Sequence, residues 1–153
     1  MISLNSPSPD FAIQDQNGQV FHLVEQKGKK VLLSFHPLAW TAVCRDQMLS
    51  LEEKYELFSR LNTVAVGLSV DSVPSKKAWA DAIGLKNTRI LADFWPHGGV
   101  AKLYDLFREA DGFSERANVI IDESQKIAFV KTYPIRQLPD IEEIVRFLET
   151  GKA

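Results

Sequence analysis

A single cysteine, Cys44, stands among the 153 residues. No internal disulfide can form, so this is not a disulfide-stapled scaffold, and a reducing, cytoplasmic setting is the expectation. Neither sign of charge is in excess: 18 Lys and Arg against 20 Asp and Glu leave a formal net charge of −2. That balance offers no electrostatic footprint for nucleic acid or an anionic membrane, and neither is expected as a partner. No apolar run approaches the roughly 18 residues of a membrane-crossing helix. Met1-Ile2-Ser3-Leu4-Asn5 lacks the charged and apolar segments of a secretory leader, so none is expected. His22, His36 and His97 do not fall at metal-ligand spacing, and no metal or other cofactor is expected. Gly98-Gly99 reads as a turn, without the strand-linked fingerprint of a phosphate loop. No repeat, low-complexity tract or long linker divides the chain, which is read as one domain over residues 1–153.

What is present is a regular succession of strand and helix signals. Phe11-Ala12-Ile13 and Val20-Phe21-His22-Leu23 flank Asn17-Gly18, which predicts a tight hairpin with positive φ at both turn residues. Val31 to Phe35 is a short apolar, turn-bounded run and reads as a buried strand. Cys44, Met48, Leu51, Tyr55 and Phe58 recur at helical spacing and predict one helix over 42–60. Thr63 to Val70 alternates as a strand. A helix follows with Pro74 in its first turn, Ala78, Trp79, Ala82 and Ile83 along it, and Gly84 as its stop. Arg89-Ile90-Leu91 is a strand, 93–99 a loop, and Val100 to Phe107 a short helix. Ala117 to Asp122 and Lys126 to Tyr133 form a second hairpin. The last helix opens on Asp140 and Glu143 in capping-box spacing and stops at Gly151. Crossover helices imply parallel neighbours and short turns antiparallel ones, so the fold class is α/β, with a mixed central sheet and helices on both faces.

The chemistry points to Cys44. It stands where the Val31–Phe35 strand gives way to a helix, in that helix's first turn. Unpaired N–H groups and the positive end of the helix dipole favour thiolate there, and thiolate is the reactive form. Because Cys44 shares the apolar stripe, the thiol should point inward, protected in a pocket that suits a small substrate. Thr41, three residues earlier, is a good N-cap. Taken alone these signals are weak: a lone cysteine is ordinarily a small buried hydrophobe.

Pro37, Thr41 and Cys44 match the Pro-x-x-x-Thr-x-x-Cys signature of peroxiredoxins. The resemblance runs from about Pro9 to Leu148. Ser69-Val70-Asp71-Ser72 with Trp79, and Arg116 before Ala117-Asn118-Val119-Ile120-Ile121-Asp122, resemble further family segments. Asp93-Phe94-Trp95-Pro96-His97-Gly98 is similar to the one-cysteine branch of alkyl hydroperoxide reductase E. The resemblance implies a thioredoxin-like fold and a thiol-dependent peroxidase. Cys44 would be the nucleophile, and Arg116 would hold positive charge beside it and donate to the peroxide. Thr41 would bond the peroxide through its hydroxyl, and Pro37 would shape the pocket and exclude water. Substrates would be hydrogen peroxide, organic hydroperoxides and peroxynitrite. His36 stands where the family often has an aromatic residue and is expected to pack. Gln47 stands where relatives often carry a carboxylate, so its role there should differ. Trp40 and Trp95 are expected near the sulfur.

A sulfenic acid needs a second thiol to resolve it. Leu49, the helix around Trp79-Ala80 and the tail to Ala153 contain none where relatives place theirs. The reductant is therefore expected from outside: a low-molecular-weight thiol, or a glutaredoxin-like or thioredoxin-like protein. A homodimer is expected from the family. Two other readings share the features: a peroxide sensor or relay that passes its oxidation to a partner protein, and a non-catalytic binding module. Cys44-Arg45-Asp46-Gln47 lacks the second cysteine that thioredoxin-type disulfide exchange requires.

Overall fold

The computed structural model describes residues 2–152. Its centre is a five-stranded sheet built from β3 (Lys30–Phe35), β4 (Thr63–Ser69), β5 (Arg89–Ala92), β8 (Arg116–Ile121) and β9 (Ile127–Tyr133), in the order β5-β4-β3-β8-β9. β3, β4 and β5 run parallel, while β8 is antiparallel to both β3 and β9. The parallel steps are the ones crossed by helices. α1 (Ala42–Glu53) and α2 (Tyr55–Arg60) lead from β3 to β4, and α3 (Val73–Ile83) leads from β4 to β5. All six residues of β8 and five of the six of β3 are buried, because both faces of the sheet are covered.

Helices cover both faces, but unequally. One face packs Leu32, Ile120 and Phe129 against Cys44, Met48 and Leu51 of α1, Phe58 of α2, Trp79 of α3 and Ile144 of α5 (Ile141–Thr150). The other packs Leu33, Phe35 and Val119 against Val100 and Ala101 of the short α4 (Gly99–Leu103), with Phe21 from the hairpin of β1 (Ala12–Gln14) and β2 (Val20–His22). α1 lies close on the sheet because β4 carries a glycine beneath it. A Cβ on Gly67 would collide with Sδ of Met48, so a larger residue there would lift the cysteine-bearing helix.

Four expectations need correction. The helix predicted over 42–60 breaks at Lys54, where φ −94° and ψ 8° end α1 before α2 begins. The break resets the helical phase: Phe58 stays buried, but Tyr55 is left 42% exposed. The Asn17-Gly18 turn is not a two-residue one. Asp15 Oδ1 accepts from the N–H groups of Asn17 and Gln19 at 2.8 and 3.0 Å, and only Gly18 takes positive φ, at 76°. The helix predicted over Val100–Phe107 ends at Leu103. Asp105 adopts a left-handed φ of 55°, Leu106 N–H bonds back to Ala101 O, and Phe107–Arg108 (β6) pairs instead with Phe113–Ser114 (β7). At α5 the Asp140 carboxylate caps the Glu142 N–H at 3.0 Å, but the Glu143 side chain does not complete a capping box. It accepts from Lys131 Nζ and the Tyr133 hydroxyl of β9, whose positive charge and O–H outcompete a backbone donor. At α3 the sequence signals hold: Ser72 Oγ caps Ser75 N–H, and Gly84 closes the helix at φ 81°.

Candidate active site

The loop between β3 and α1 is the centre of the site. Pro37 is buried in it, and Ala39 N–H is held at 2.8 Å by Asp71 Oδ2. Ser69 Oγ donates to the same carboxylate oxygen at 2.5 Å, and Trp40 Nε1–H donates to Ser75 Oγ at 3.2 Å. The Ser69–Ser75 segment thus ties the loop to the start of α3. Trp40 sits at φ 68°, which turns the chain sharply into α1.

Thr41 occupies the N-cap position, with φ −114° and ψ 151°, but its hydroxyl makes no cap bond. The turn brings the Leu38 carbonyl within 2.8 Å, and Thr41 Oγ1–H donates there instead. This corrects the capping expectation and leaves the oxygen's lone pairs, on an exposed residue, free to accept. A groove of ≈ 340 Å³ lined by Trp40, Thr41, Ala42, Arg45, Trp79 and Ile83 opens beside it.

Cys44, in the first turn of α1, points inward and is 1% exposed. Arg116, at the start of β8 and 3% exposed, places Nη1 3.3 Å from its sulfur. The guanidinium is fixed on its far side, where Nε and Nη2 donate to the Ile135 carbonyl at 2.8 and 2.6 Å. Nη1 also donates to Gln47 Oε1 at 2.8 Å. Gln47 Nε2 in turn donates to Ser34 Oγ at 2.7 Å and Phe35 O at 3.1 Å. Ser34 Oγ–H then donates to Asn118 Oδ1 at 2.8 Å, across a register in which those residues face one another. An amide at position 47 serves both sides. A carboxylate could accept from Arg116 but could not donate to Ser34 or Phe35, and it would offset the charge that Arg116 turns toward sulfur.

His36 is buried behind this row, its ring 5.6 Å from that of Trp79. Packing is therefore part of its role, but it is also paired. Nδ1–H points at the Ser34 carbonyl, 3.4 Å away, which fixes the tautomer and leaves Nε2 to accept from Lys76 Nζ at 3.1 Å. Burial, then the charges of Lys76 and Arg116, hold the imidazole well below its usual range, against the Ser34 bond; it is neutral. Burial also pushes the Lys76 ammonium down to about 7, against the pull of Asp71, Cys44 and Asp93. Lys76 was open to detection only by its place on α3, where Lys76, Trp79, Ala80 and Ile83 share one helical stripe.

The depressed Lys76 sets a pH dependence of stability. Its folded value of about 7 lies under its ordinary 10.5, so between them the unfolded chain binds more protons, and wild-type stability rises with pH through that window. The total span is roughly 5 kcal/mol. Urea denaturation at about pH 7 and about pH 9 should show wild type gaining on Lys76→Met, which lacks the titrating group. Equal slopes in the two proteins would contradict it.

Trp95, expected near the sulfur, is 81% exposed and borders a groove with Ala12, Ile13, Gln14, Val73, Ala92 and Phe94, which none of Pro37, Thr41, Cys44 and Arg116 lines. The apolar composition of its loop gave no means of telling a site wall from an outer surface. Among the described residues no group of three His, Cys, Asp or Glu side chains is placed to hold a metal ion. Among the described residues no helix is long and apolar enough to cross a membrane.

A buried cysteine at a helix head with a guanidinium on its sulfur, carried by a thioredoxin-like sheet, is the architecture of a thiol-based oxidoreductase. The AhpC/TSA family model matches residues 4–130. Alkyl hydroperoxide reductase E of Mycobacterium tuberculosis is 36% identical over 132 residues, 86% of each chain. A peroxiredoxin of Thermoplasma volcanium is 35% identical, over 97% of this chain and 74% of its own. Among solved structures, Enterococcus faecalis AhpC superposes with a TM-score of 0.91 at 28% identity, covering 99% of this chain and 93% of that one. The reduced 2-Cys peroxiredoxin of Plasmodium vivax gives 0.90 at 25% identity, over 99% and 82%. The chain belongs to the AhpC/TSA family of peroxiredoxins, which are thiol-dependent peroxidases.

Proposed function

We propose that the protein is a one-cysteine peroxidase acting on hydrogen peroxide and organic hydroperoxides, and on peroxynitrite by the same chemistry. The Cys44 thiolate attacks the terminal peroxide oxygen. The S–O bond forms as the O–O bond breaks, sulfur is oxidised to sulfenic acid, and the departing oxygen leaves as water or alcohol after taking a proton, or as nitrite when the substrate is peroxynitrite. Arg116 steadies the charge on sulfur and then on the departing oxygen. Thr41 accepts a hydrogen bond from the peroxide O–H on its hydroxyl oxygen and so aligns the O–O bond. Pro37 walls the sulfur from water. The observation that carries the reading is the 3.3 Å approach of Arg116 Nη1 to a buried, unpaired Cys44 Sγ.

With one cysteine in the sequence, the sulfenic acid is resolved from outside, by a low-molecular-weight thiol or a glutaredoxin-like or thioredoxin-like protein. A homodimer in a reducing, cytoplasmic setting completes the reading. The test is peroxide consumption without and then with added small thiol. One peroxide per Cys44 in the first case and sustained turnover in the second is the expected result. Fast oxidation of Cys44 without turnover by any small thiol, but with a stable mixed disulfide to one protein, would instead favour the sensor or relay.

A further inference from the structure

Ser34 and Asn118 are the polar positions of two otherwise apolar runs, Val31–Phe35 on β3 and Ala117–Ile121 on β8. Both are buried, and they face one another in the register of the two strands. Burying a hydroxyl and an amide carries a cost that an apolar pair would avoid, so packing alone does not call for them.

Their bonds belong to one chain with a single direction. Arg116 Nη1–H donates to Gln47 Oε1, Gln47 Nε2–H to Ser34 Oγ, and Ser34 Oγ–H to Asn118 Oδ1. The chain continues beyond the site. Asn118 Nδ2–H donates to the Tyr133 hydroxyl at 3.4 Å, and Tyr133 Oη–H donates to Glu143 Oε1 at 2.8 Å. Lys131 Nζ holds the other Glu143 oxygen at 2.7 Å. Every middle member accepts on one side and donates on the other. A cation heads the chain and a carboxylate ends it, the arrangement in which each bond polarises and strengthens the next.

The head of the chain lies at the sulfur. Ile135 O holds Nε and Nη2 of Arg116, but Nη1 is the atom that approaches Cys44, and Gln47 Oε1 is its other partner. Reversing the Gln47 amide would turn its N–H groups on the guanidinium, and the chain behind it fixes the favourable sense. Tyr133 also stands opposite Arg116 in the register of β8 and β9, so the chain leaves Arg116 through α1 and returns to the residue beside it.

We propose that Tyr133 and Glu143 are remote positioning residues of the peroxide reaction: through Asn118, Ser34 and Gln47 they hold Arg116 Nη1 on the Cys44 sulfur. This rests on Cys44 being the peroxide-reactive thiol.

The test is a double-mutant cycle on the second-order rate of Cys44 oxidation by hydrogen peroxide, with Tyr133→Phe and Ser34→Ala as the single variants. Tyr133→Phe keeps the ring and removes the link to Glu143, and Ser34→Ala cuts the chain in its middle. Each should slow oxidation at least about threefold. The double variant should be no slower than the slower single one, because a chain already cut cannot be cut again. Lys131→Met is the control for loosened packing: it breaks the ion pair between β9 and α5 outside the chain and should leave the rate at the wild-type value. Losses that multiply in the double variant would overturn the proposal, as would unchanged rates in the single variants. So would a loss in Lys131→Met as large as that in Tyr133→Phe. Wild-type oxidation no faster than that of a free cysteine would instead remove the peroxidase reading itself, and this inference with it; the two failures are thus distinguishable.

Discussion

Cys44→Ser should abolish peroxide reduction while the fold persists. The hydroxyl does not ionise near neutral pH and oxygen is a poor nucleophile toward an O–O bond, so the rate should fall by about four orders of magnitude or more. The substitution is nearly isosteric at a site 1% exposed. The serine oxygen would inherit the Arg116 Nη1–H as a partner, so no buried polar atom is orphaned, and stability should move by no more than about 1–2 kcal/mol. Peroxide consumption at matched concentration, with a thermal melt of the same sample, checks both halves. Residual consumption at the wild-type rate would place the chemistry elsewhere.

Arg116 carries the second-largest effect. Arg116→Met removes the cation from the sulfur and also strips hydrogen bonds from Ile135 O and Gln47 Oε1. The oxidation rate should drop about 10²–10³-fold, the loss usual for a donor that stabilises a developing oxyanion. Stability should fall by about 1–3 kcal/mol for each buried acceptor left without a partner. Arg116→Lys separates the two contributions. It keeps the charge, but one ammonium cannot span Ile135 O on one side and Gln47 and Cys44 on the other. Its rate should lie between wild type and the methionine variant, about tenfold above the latter. Stopped-flow oxidation rates with melting temperatures measure this. A lysine variant no faster than methionine would mean that geometry, not charge, is the whole contribution.

Much of the scaffold was legible in the residues. The apolar runs of β3 and β8, the Ser72–Pro74 start and Gly84 stop of α3, and the Ile144–Leu148 stripe of α5 all lie where spacing and turn chemistry place them. These are local signals, each set by neighbours within one or two turns. The misses have more than one cause. Glu143 left its capping partner for Lys131 and Tyr133 of β9, partners that local spacing does not reveal and that outweigh a preference worth about 1 kcal/mol. Thr41 left its cap for the nearby Leu38 carbonyl, which the turn at Trp40 brings within reach, and the 42–60 helix broke at Lys54.

The site divides in the same way. The sequence by itself determined that one thiol stands at a helix head after a buried strand, that the Pro37, Thr41, Cys44 and Arg116 set is present, and that no second cysteine accompanies it. Only the tertiary structure decided which groups meet at the sulfur. Arg116 reaches Cys44 from 72 positions away because β8 lies antiparallel beside β3, and the same pairing sets Ser34 opposite Asn118. Lys76 stands beside Lys77 in the sequence with no local signal to set it apart, but the packing of α3 against the sheet buries it on His36. Hydrophobic periodicity reports which face of an element turns inward. It carries no information on which side chain from another element will be waiting there, and that meeting is fixed by strand order and register.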